Sequence, residues 1–321
     1  MTTALESPVP PAQQDAWAIG QGGIPAQNGP VRALKAWLDR RFFFFATTPA
    51  MLVIVAVTLV PMALGIYLSF SVYGPTDPTF KFDGLANYRY IWDNYDTHVA
   101  IVNTLIFVGG ALALETGLGM GFALLLSRRM RGMAIFRTIF LLPLMVAGAA
   151  AGAAWSALLN TSQGWVNYFL ALAGIPQPNW LASPHTAMLS VILADSWSGI
   201  PVMAIILLAG LLTLPKEPVE AARIDGASEM DIFWHVTLPG LRPVFAFAVL
   251  FRVVGLFQQF ALFSFLTGGG PGLSTNVLNY YVAQQTFTFG ALGIGAALTM
   301  VLVILMALPL IVIYQFAKRG R

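Results

Sequence analysis

From residue 42 to residue 73 the chain has no charged side chain. About 20 apolar residues suffice to cross a hydrocarbon core. A signal-peptide core is shorter, about 7–15 residues, and no cleavage site follows this stretch. The stretch 42–73 is therefore expected to be a retained transmembrane helix, with Pro49 and Pro61 placed to bend it. A backbone inside lipid must satisfy its own hydrogen bonds, which leaves helices or closed barrels. Further apolar runs at 99–126, 138–159, 187–214, 244–267 and 289–316 have helical rather than strand length. The expected fold class is all-α: a polytopic membrane protein with six transmembrane helices. Composition agrees, with 57% hydrophobic and 10% charged residues, against about 25% charged in soluble domains.

The segments between the spans set an expected orientation. Basic residues cluster in alternate segments: Arg32, Lys35, Arg40 and Arg41, then Arg128, Arg129, Arg131 and Arg137, then Lys216, Arg223 and Arg242, then Lys318, Arg319 and Arg321. Only Lys81 and Arg89 fall in the other set, and Arg252 lies in a span. The positive-inside rule then places both termini and the 215–243 segment in the cytoplasm. Residues 1–41 are expected to form a disordered, basic cytoplasmic tail, with 31–41 as a short helix against the membrane. Residues 42–317 form the transmembrane domain. The 74–98 segment is expected to be a polar loop. Gly117 with Gly121, and Gly148 with Gly152, stand four apart, a spacing that favours close helix packing.

The 215–243 segment is too long and too polar for a plain turn between spans. Pro218 suits a first helical position, and Gly226 suits a helix end that needs positive φ. Ser228 with Asp231 three residues later reads as a capping box. The expectation is a short helix, a glycine corner and a second short helix on the membrane surface. Glu220-Ala221-Ala222, then Gly226, then Val236 and Leu238-Pro239 resemble the EAA loop of ATP-binding-cassette (ABC) importer permeases. Val236 stands where that family usually has Ile. In the 74–98 loop, Phe82-Asp83-Gly84-Leu85-Ala86-Asn87-Tyr88 resembles a segment of carbohydrate-uptake permeases. So does Asn103-Thr104-Leu105. Thr267 to Pro271, followed by Ser274-Thr275-Asn276, resembles an outer loop of one permease type in those importers.

The resemblance implies a transport subunit of a maltose- or glycerol-phosphate-type importer in a bacterial or archaeal plasma membrane. It implies a second homologous permease, two copies of a cytoplasmic ATPase and an extracytoplasmic solute-binding protein. It assigns ATPase coupling to Glu220, Ala221, Ala222, Asp225, Gly226, Ser228, Leu238 and Pro239. ATP and Mg would then be bound by the partner ATPase and not by this chain.

Sites of chemistry are sparse in the sequence. A GxxxxGK[ST] loop needs Gly before Lys, and the four Lys follow Leu34, Phe80, Pro215 and Ala317. His98, His185 and His235 lack metal-ligand spacing. There is no cysteine. No enzyme activity, metal site or nucleic-acid partner is expected. Ionisable groups at membrane depth cost at least about 2.5–3.5 kcal/mol unless paired or hydrated. Glu115 and Arg252 are either in the substrate path or paired, and Asp195 is expected near the outer interface. Hydrogen-bonding and aromatic residues for a sugar are available at Gln258, Gln259, Asn276, Asn279, Tyr280 and Tyr281. Glycerol phosphate is the alternative cargo, with Arg252 the only cation in a span to receive its phosphate. A stand-alone secondary carrier would show inverted repeats, and none is discernible. A membrane enzyme or scaffold would need a reactive constellation or a large soluble domain.

Overall fold

The computed structural model describes residues 30–74, 77–128 and 131–318. Residues 1–29 of the expected tail lie outside the described residues. The chain divides into two compact units, 1–62 and 63–321.

Helix α1, Pro30–Ser69, carries Pro49 and Pro61 within it. The basic stretch 31–41 is thus not a separate helix but the first turns of the span. Met51, Val57 and Val60 along α1 are exposed apolar side chains. The span stops four residues earlier than expected. Val72 and Tyr73 then favour extended backbone, and β1, Ser71–Gly74, pairs antiparallel with β2, Asp77–Phe82. The expected polar loop is therefore this hairpin followed by α2, Ala86–Asp93. It is a minor exception to an otherwise helical fold.

Four long helices build the core of the second unit or end in it: α3, Tyr95–Ser127; α7, Pro184–Thr213; α10, Leu238–Phe257; and α13, Leu292–Lys318. Between α3 and α7 come α4, Met133–Leu141; a tight 3-10 turn, Leu142–Met145; α5, Gly148–Leu158; and α6, Trp165–Leu172. The expected third span, 138–159, is not one helix. Its two halves meet at 101°, because Pro143 has no N–H to donate and Val146 and Ala147 turn extended. Among the described residues, five helices are long and apolar enough to span, or six if the bent pair counts as one.

Helices α3 and α7 pack along most of their length, and the reason is specific. A Cβ at Gly119 would lie 2.6 Å from Met203 Cβ and 3.3 Å from the Ala204 nitrogen. Gly119, not the expected Gly117 and Gly121, is the close-approach residue. Nothing lies within 4 Å of a Cβ at either of those two, because residues two apart on a helix face different ways. The Gly148–Gly152 expectation fares better. Gly152 abuts Phe265 Cβ at 2.9 Å and Leu262, both on the short helix α11, Ala261–Leu266. The core joining these helices is apolar, with Phe107, Met203, Leu207, Leu241, Leu256, Phe257 and Phe263 fully buried.

The expected fifth span, 244–267, begins earlier and ends earlier. Helix α10 starts at Leu238 and stops at Phe257. Pro239 and Pro243 sit in its first turns. Pro239 has no N–H to donate to the preceding turn, and it follows directly on the π-turn at Phe233–Thr237. The chain closes through α12, Leu278–Ala283, a π-turn at Gln284–Thr288 and α13.

Candidate functional site

The 215–243 segment folds as the sequence predicts. Helix α8, Glu217–Ile224, has Pro218 in its first turn. Gly226 follows at φ 82°. Its N–H reaches the Arg223 carbonyl at 3.1 Å, and the Ala227 N–H reaches the Ala222 carbonyl at 3.0 Å. This is the Schellman pattern, which satisfies the last carbonyls of the helix and requires left-handed backbone at Gly226. Helix α9, Glu229–Ile232, opens on a complete capping box. The Asp231 N–H donates to Ser228 Oγ at 3.2 Å, and the Ser228 N–H donates to Asp231 Oδ2 at 3.2 Å. A π-turn, Phe233–Thr237, then delivers the chain into α10. The elbow is thus continuous with a spanning helix.

One ion pair closes the corner. Arg223 donates from Nε to Glu229 Oε1 at 2.9 Å and from Nη2 to Glu229 Oε2 at 3.2 Å. The Arg223 side chain lies at the start of the corner and Glu229 just after it. Both are largely exposed, so the pair serves geometry more than stability. The hydrogen bond from Arg223 holds the Glu229 carboxyl below its ordinary value. Hydrogen bonds from Ser228 do the same for Asp231. A carboxyl depressed in the folded state adds stability that is complete above its unfolded pKa and lost as pH falls through the folded one. The elbow should therefore hold at neutral pH and loosen below about pH 4. Amide exchange over residues 217–231, corrected for its intrinsic pH dependence, should rise there while α3 and α7 stay protected.

The two faces of α8 differ. Val219, Glu220 and Arg223 line an open cavity shared with the ends of α3 and α7. Ala221 and Ile224 stand outside that lining, and Ile224 is 87% exposed. Glu220 therefore stands at the edge of the cavity between the elbow and the bundle, and its side chain is also exposed.

The three ionisable residues of the spans come together. Arg252 on α10 donates from Nε to Glu115 Oε2, from Nη2 to Glu115 Oε1 at 2.8 Å, and from Nη2 to Asp195 Oδ2. Gln259 Nε2 donates to the other Asp195 oxygen at 2.5 Å. Ser196 Oγ stands 3.5 Å from Glu115. Glu115 and Asp195 are buried, and the Arg252 side chain is 12% exposed. Gly199 makes the space, since a Cβ there would overlap the Glu115 carboxylate and approach Arg252 Nη2 at 2.7 Å. The cluster ties α3, α7 and α10 together. Asp195 does not lie at the outer interface as expected.

At the far end of α3, Asn103 Nδ2 donates to the carbonyls of Leu273, 2.7 Å away, and Asn276, 3.2 Å away. Thr104 Oγ1 accepts from the Leu278 N–H at 2.8 Å. This pins the glycine-rich 268–276 loop and the start of α12. Asn87 Nδ2 likewise donates to the Ser69 and Ser71 carbonyls at 3.0 and 2.9 Å, holding the hairpin to α2.

A family model described as "Binding-protein-dependent transport system inner membrane component" matches residues 18–320. The chain belongs to this family. The permease is 34% identical over 283 residues to the trehalose/maltose transport system permease protein MalF of Thermococcus litoralis, covering 88% of this chain and 95% of that one. It is 33% identical over 274 residues to the sulfoquinovosyl glycerol transport system permease protein SmoG of Agrobacterium fabrum, with coverage of 83% and 88%. The sn-glycerol-3-phosphate transport system permease protein UgpA of Yersinia enterocolitica is 29% identical over 291 residues, with coverage of 88% and 95%. A chain of a bacterial ABC transporter that imports alginate superposes at a TM-score of 0.76 and 19% identity, covering 89% of this chain and 99% of its own. That likeness shows the fold. The protein is a multi-pass permease subunit of an ABC importer.

Of the residues expected in the permease's path, Gln258 is exposed, and Gln259, Tyr280 and Arg252 are half-buried. Tyr280 stacks on Phe260 at 5.9 Å. Glu115, Asn276 and Tyr281 are buried; the Tyr281 hydroxyl donates to Asn94 Oδ1 at 3.4 Å. Glu115 therefore serves the ion cluster and does not face an opening of this chain. Asn279 Nδ2 is spent on the Gln258 carbonyl at 2.8 Å. Sequence reasoning missed Gly119, Gly199 and the role of Asp195. The available signal was that two acids and one base, each alone in a span, gain most by pairing with one another.

Proposed function

We propose that the permease lines the path for a neutral sugar, working with a second homologous permease, two copies of a cytoplasmic ATPase and an extracytoplasmic solute-binding protein. ATP and Mg belong to the ATPase. The home of the complex is a bacterial or archaeal plasma membrane, with both termini and the elbow in the cytoplasm, as the basic residues favour. The elbow carries the coupling. Closure of the ATPases presses on the Ala221–Ile224 face, the Schellman corner and capping box keep the two short helices in register, and α10 receives the stroke through Leu238-Pro239. The path then opens alternately to the two sides.

The cargo reading rests on Arg252. It is the only cation expected in a span, and two carboxylates engage it. A phosphate approaching it would meet a cluster of net negative charge, which disfavours an anionic cargo. Hydroxyl-rich, uncharged ligands need hydrogen bonds and aromatic faces instead. Gln258 stands exposed and Phe260 lies against Tyr280. The trehalose/maltose and sulfoquinovosyl glycerol names of relatives fit sugar-type cargo, and the glycerol-phosphate name is the rival.

Reconstitution of the whole complex in proteoliposomes tests this. Neutral disaccharide should accumulate when ATP is supplied, and removing residues 217–231 should release the ATPase on purification. Preferential uptake of glycerol phosphate would overturn the cargo reading. Retention of the ATPase after the deletion would overturn the coupling reading.

A further inference from the structure

The cavity beneath the elbow has a volume of about 970 Å³, at the upper end for small-molecule pockets. Its walls come from the last turns of α3 and α7 and from the inner face of the elbow. They are mainly apolar: Leu124, Leu211, Leu214, Ile232, Phe233 and Trp234. Its rim carries Arg128, Lys216, Arg223, Glu220 and Glu229. Arg223 is taken up by Glu229. The rim's cations, Arg128, Lys216 and Arg223, thus outnumber the carboxylates of Glu220 and Glu229, and Arg128 and Lys216 are both exposed.

We propose that this cavity binds an anionic phospholipid, with an acyl chain among Leu124, Leu211, Leu214 and Phe233 and the headgroup at Arg128 and Lys216. The position argues for it. The cavity lies where two spanning helices end, at the depth where a bilayer changes from hydrocarbon to headgroup. Leu125 and Leu212, next in sequence to the lining residues Leu124 and Leu211, are exposed apolar side chains on the same two helices. An acyl chain can enter sideways along that surface. A free anion would leave the apolar well empty, and an uncharged lipid would leave the cations unused. Basic pockets at helix ends on the cytoplasmic side suit anionic headgroups. The ATPase is not the expected occupant, because Ile224, the apolar side chain that α8 offers to its surroundings, stands outside the cavity lining. A seated lipid would fill the gap between elbow and bundle, so that motion of the elbow reaches α3 and α7 as well as α10.

The site rests on the reading of the elbow as the inner-leaflet coupling element, but its test does not need an ATPase. The isolated permease, in nanodiscs of phosphatidylcholine with added phosphatidylglycerol, is released and weighed by native mass spectrometry. Phosphatidylglycerol should be retained in preference to phosphatidylcholine. The R128Q/K216Q double variant should lower that preference by roughly 10- to 30-fold, on the scale expected for two interfacial cations. Leu214→Trp, which fills the well without changing charge, should lower retention of both lipids. Equal retention of the two lipids by the wild type, or an unchanged preference in R128Q/K216Q, would overturn the site. So would a cross-link from Ser127→Cys to the ATPase that forms only when phosphatidylglycerol is excluded, since the cavity would then be a protein contact. If the wild-type complex binds no ATPase, the coupling reading fails by itself and the lipid measurement still decides this one.

Discussion

Arg252→Met is expected to be the most damaging single substitution in the permease. It removes the one guanidinium that reaches both Glu115 and Asp195 and leaves two carboxylates uncompensated in the bundle. Breaking a buried ion pair from one side typically costs about 3–5 kcal/mol, because the remaining charge stays desolvated. The variant should melt well below the wild type in detergent, or fail to accumulate. Arg252→Lys should recover only part of the loss. A lysine keeps the charge but cannot offer the planar fork that meets Glu115 with two donors. The decisive variant is the triple neutral one, Glu115→Gln, Asp195→Asn and Arg252→Gln. Carboxamides retain hydrogen bonding without the charge, so the triple should melt closer to the wild type than R252M does. A thermal melt of R252M that matches the wild type would show that water or another chain neutralises the carboxylates.

Gly226→Val is expected to abolish ATP-dependent uptake while leaving the permease in the membrane. Nothing lies within 4 Å of a Cβ at this position, so the substitution meets no steric neighbour. Its whole cost is in the backbone. A φ of 82° is one that a β-branched residue resists by about 1–3 kcal/mol. The easiest relief is to unwind the Schellman turn, which frees the Arg223 and Ala222 carbonyls and separates Arg223 from Glu229. The two short helices would then no longer move as one piece. Gly226→Asn, which tolerates left-handed backbone better, should retain much of the uptake. Uptake by G226V vesicles equal to wild type, with the ATPase bound, would end the account of the corner as a rigid joint.

Much of the permease can be read from the chain alone, and the parts that can share a physical cause. The spans and the elbow are set locally. A long uncharged run must become a helix in lipid, whatever surrounds it. Pro218, Gly226, Ser228 and Asp231 act through backbone geometry within a few residues, so each lands where its chemistry requires. Asn87 and Asn103, which lie in two of the segments that carry the resemblance, pin loops to helix ends.

What the sequence could not supply was everything that depends on which faces meet. Gly117 and Gly121 have the same spacing as Gly148 and Gly152, yet only Gly148 and Gly152 meet a neighbouring helix, because helix rotation is decided by the whole bundle. The bend falls at Val146 and Ala147, just past Pro143, and Pro49 and Pro61 lie within α1 without ending it. Glu115, Asp195 and Arg252 are separated by 80 and 57 residues. Only the packing of α3, α7 and α10, with Gly199 leaving room between them, turns three isolated ionisable residues into one ion-paired cluster. Short-range stereochemistry and hydrophobic length fixed the elements, and long-range packing chose their partners.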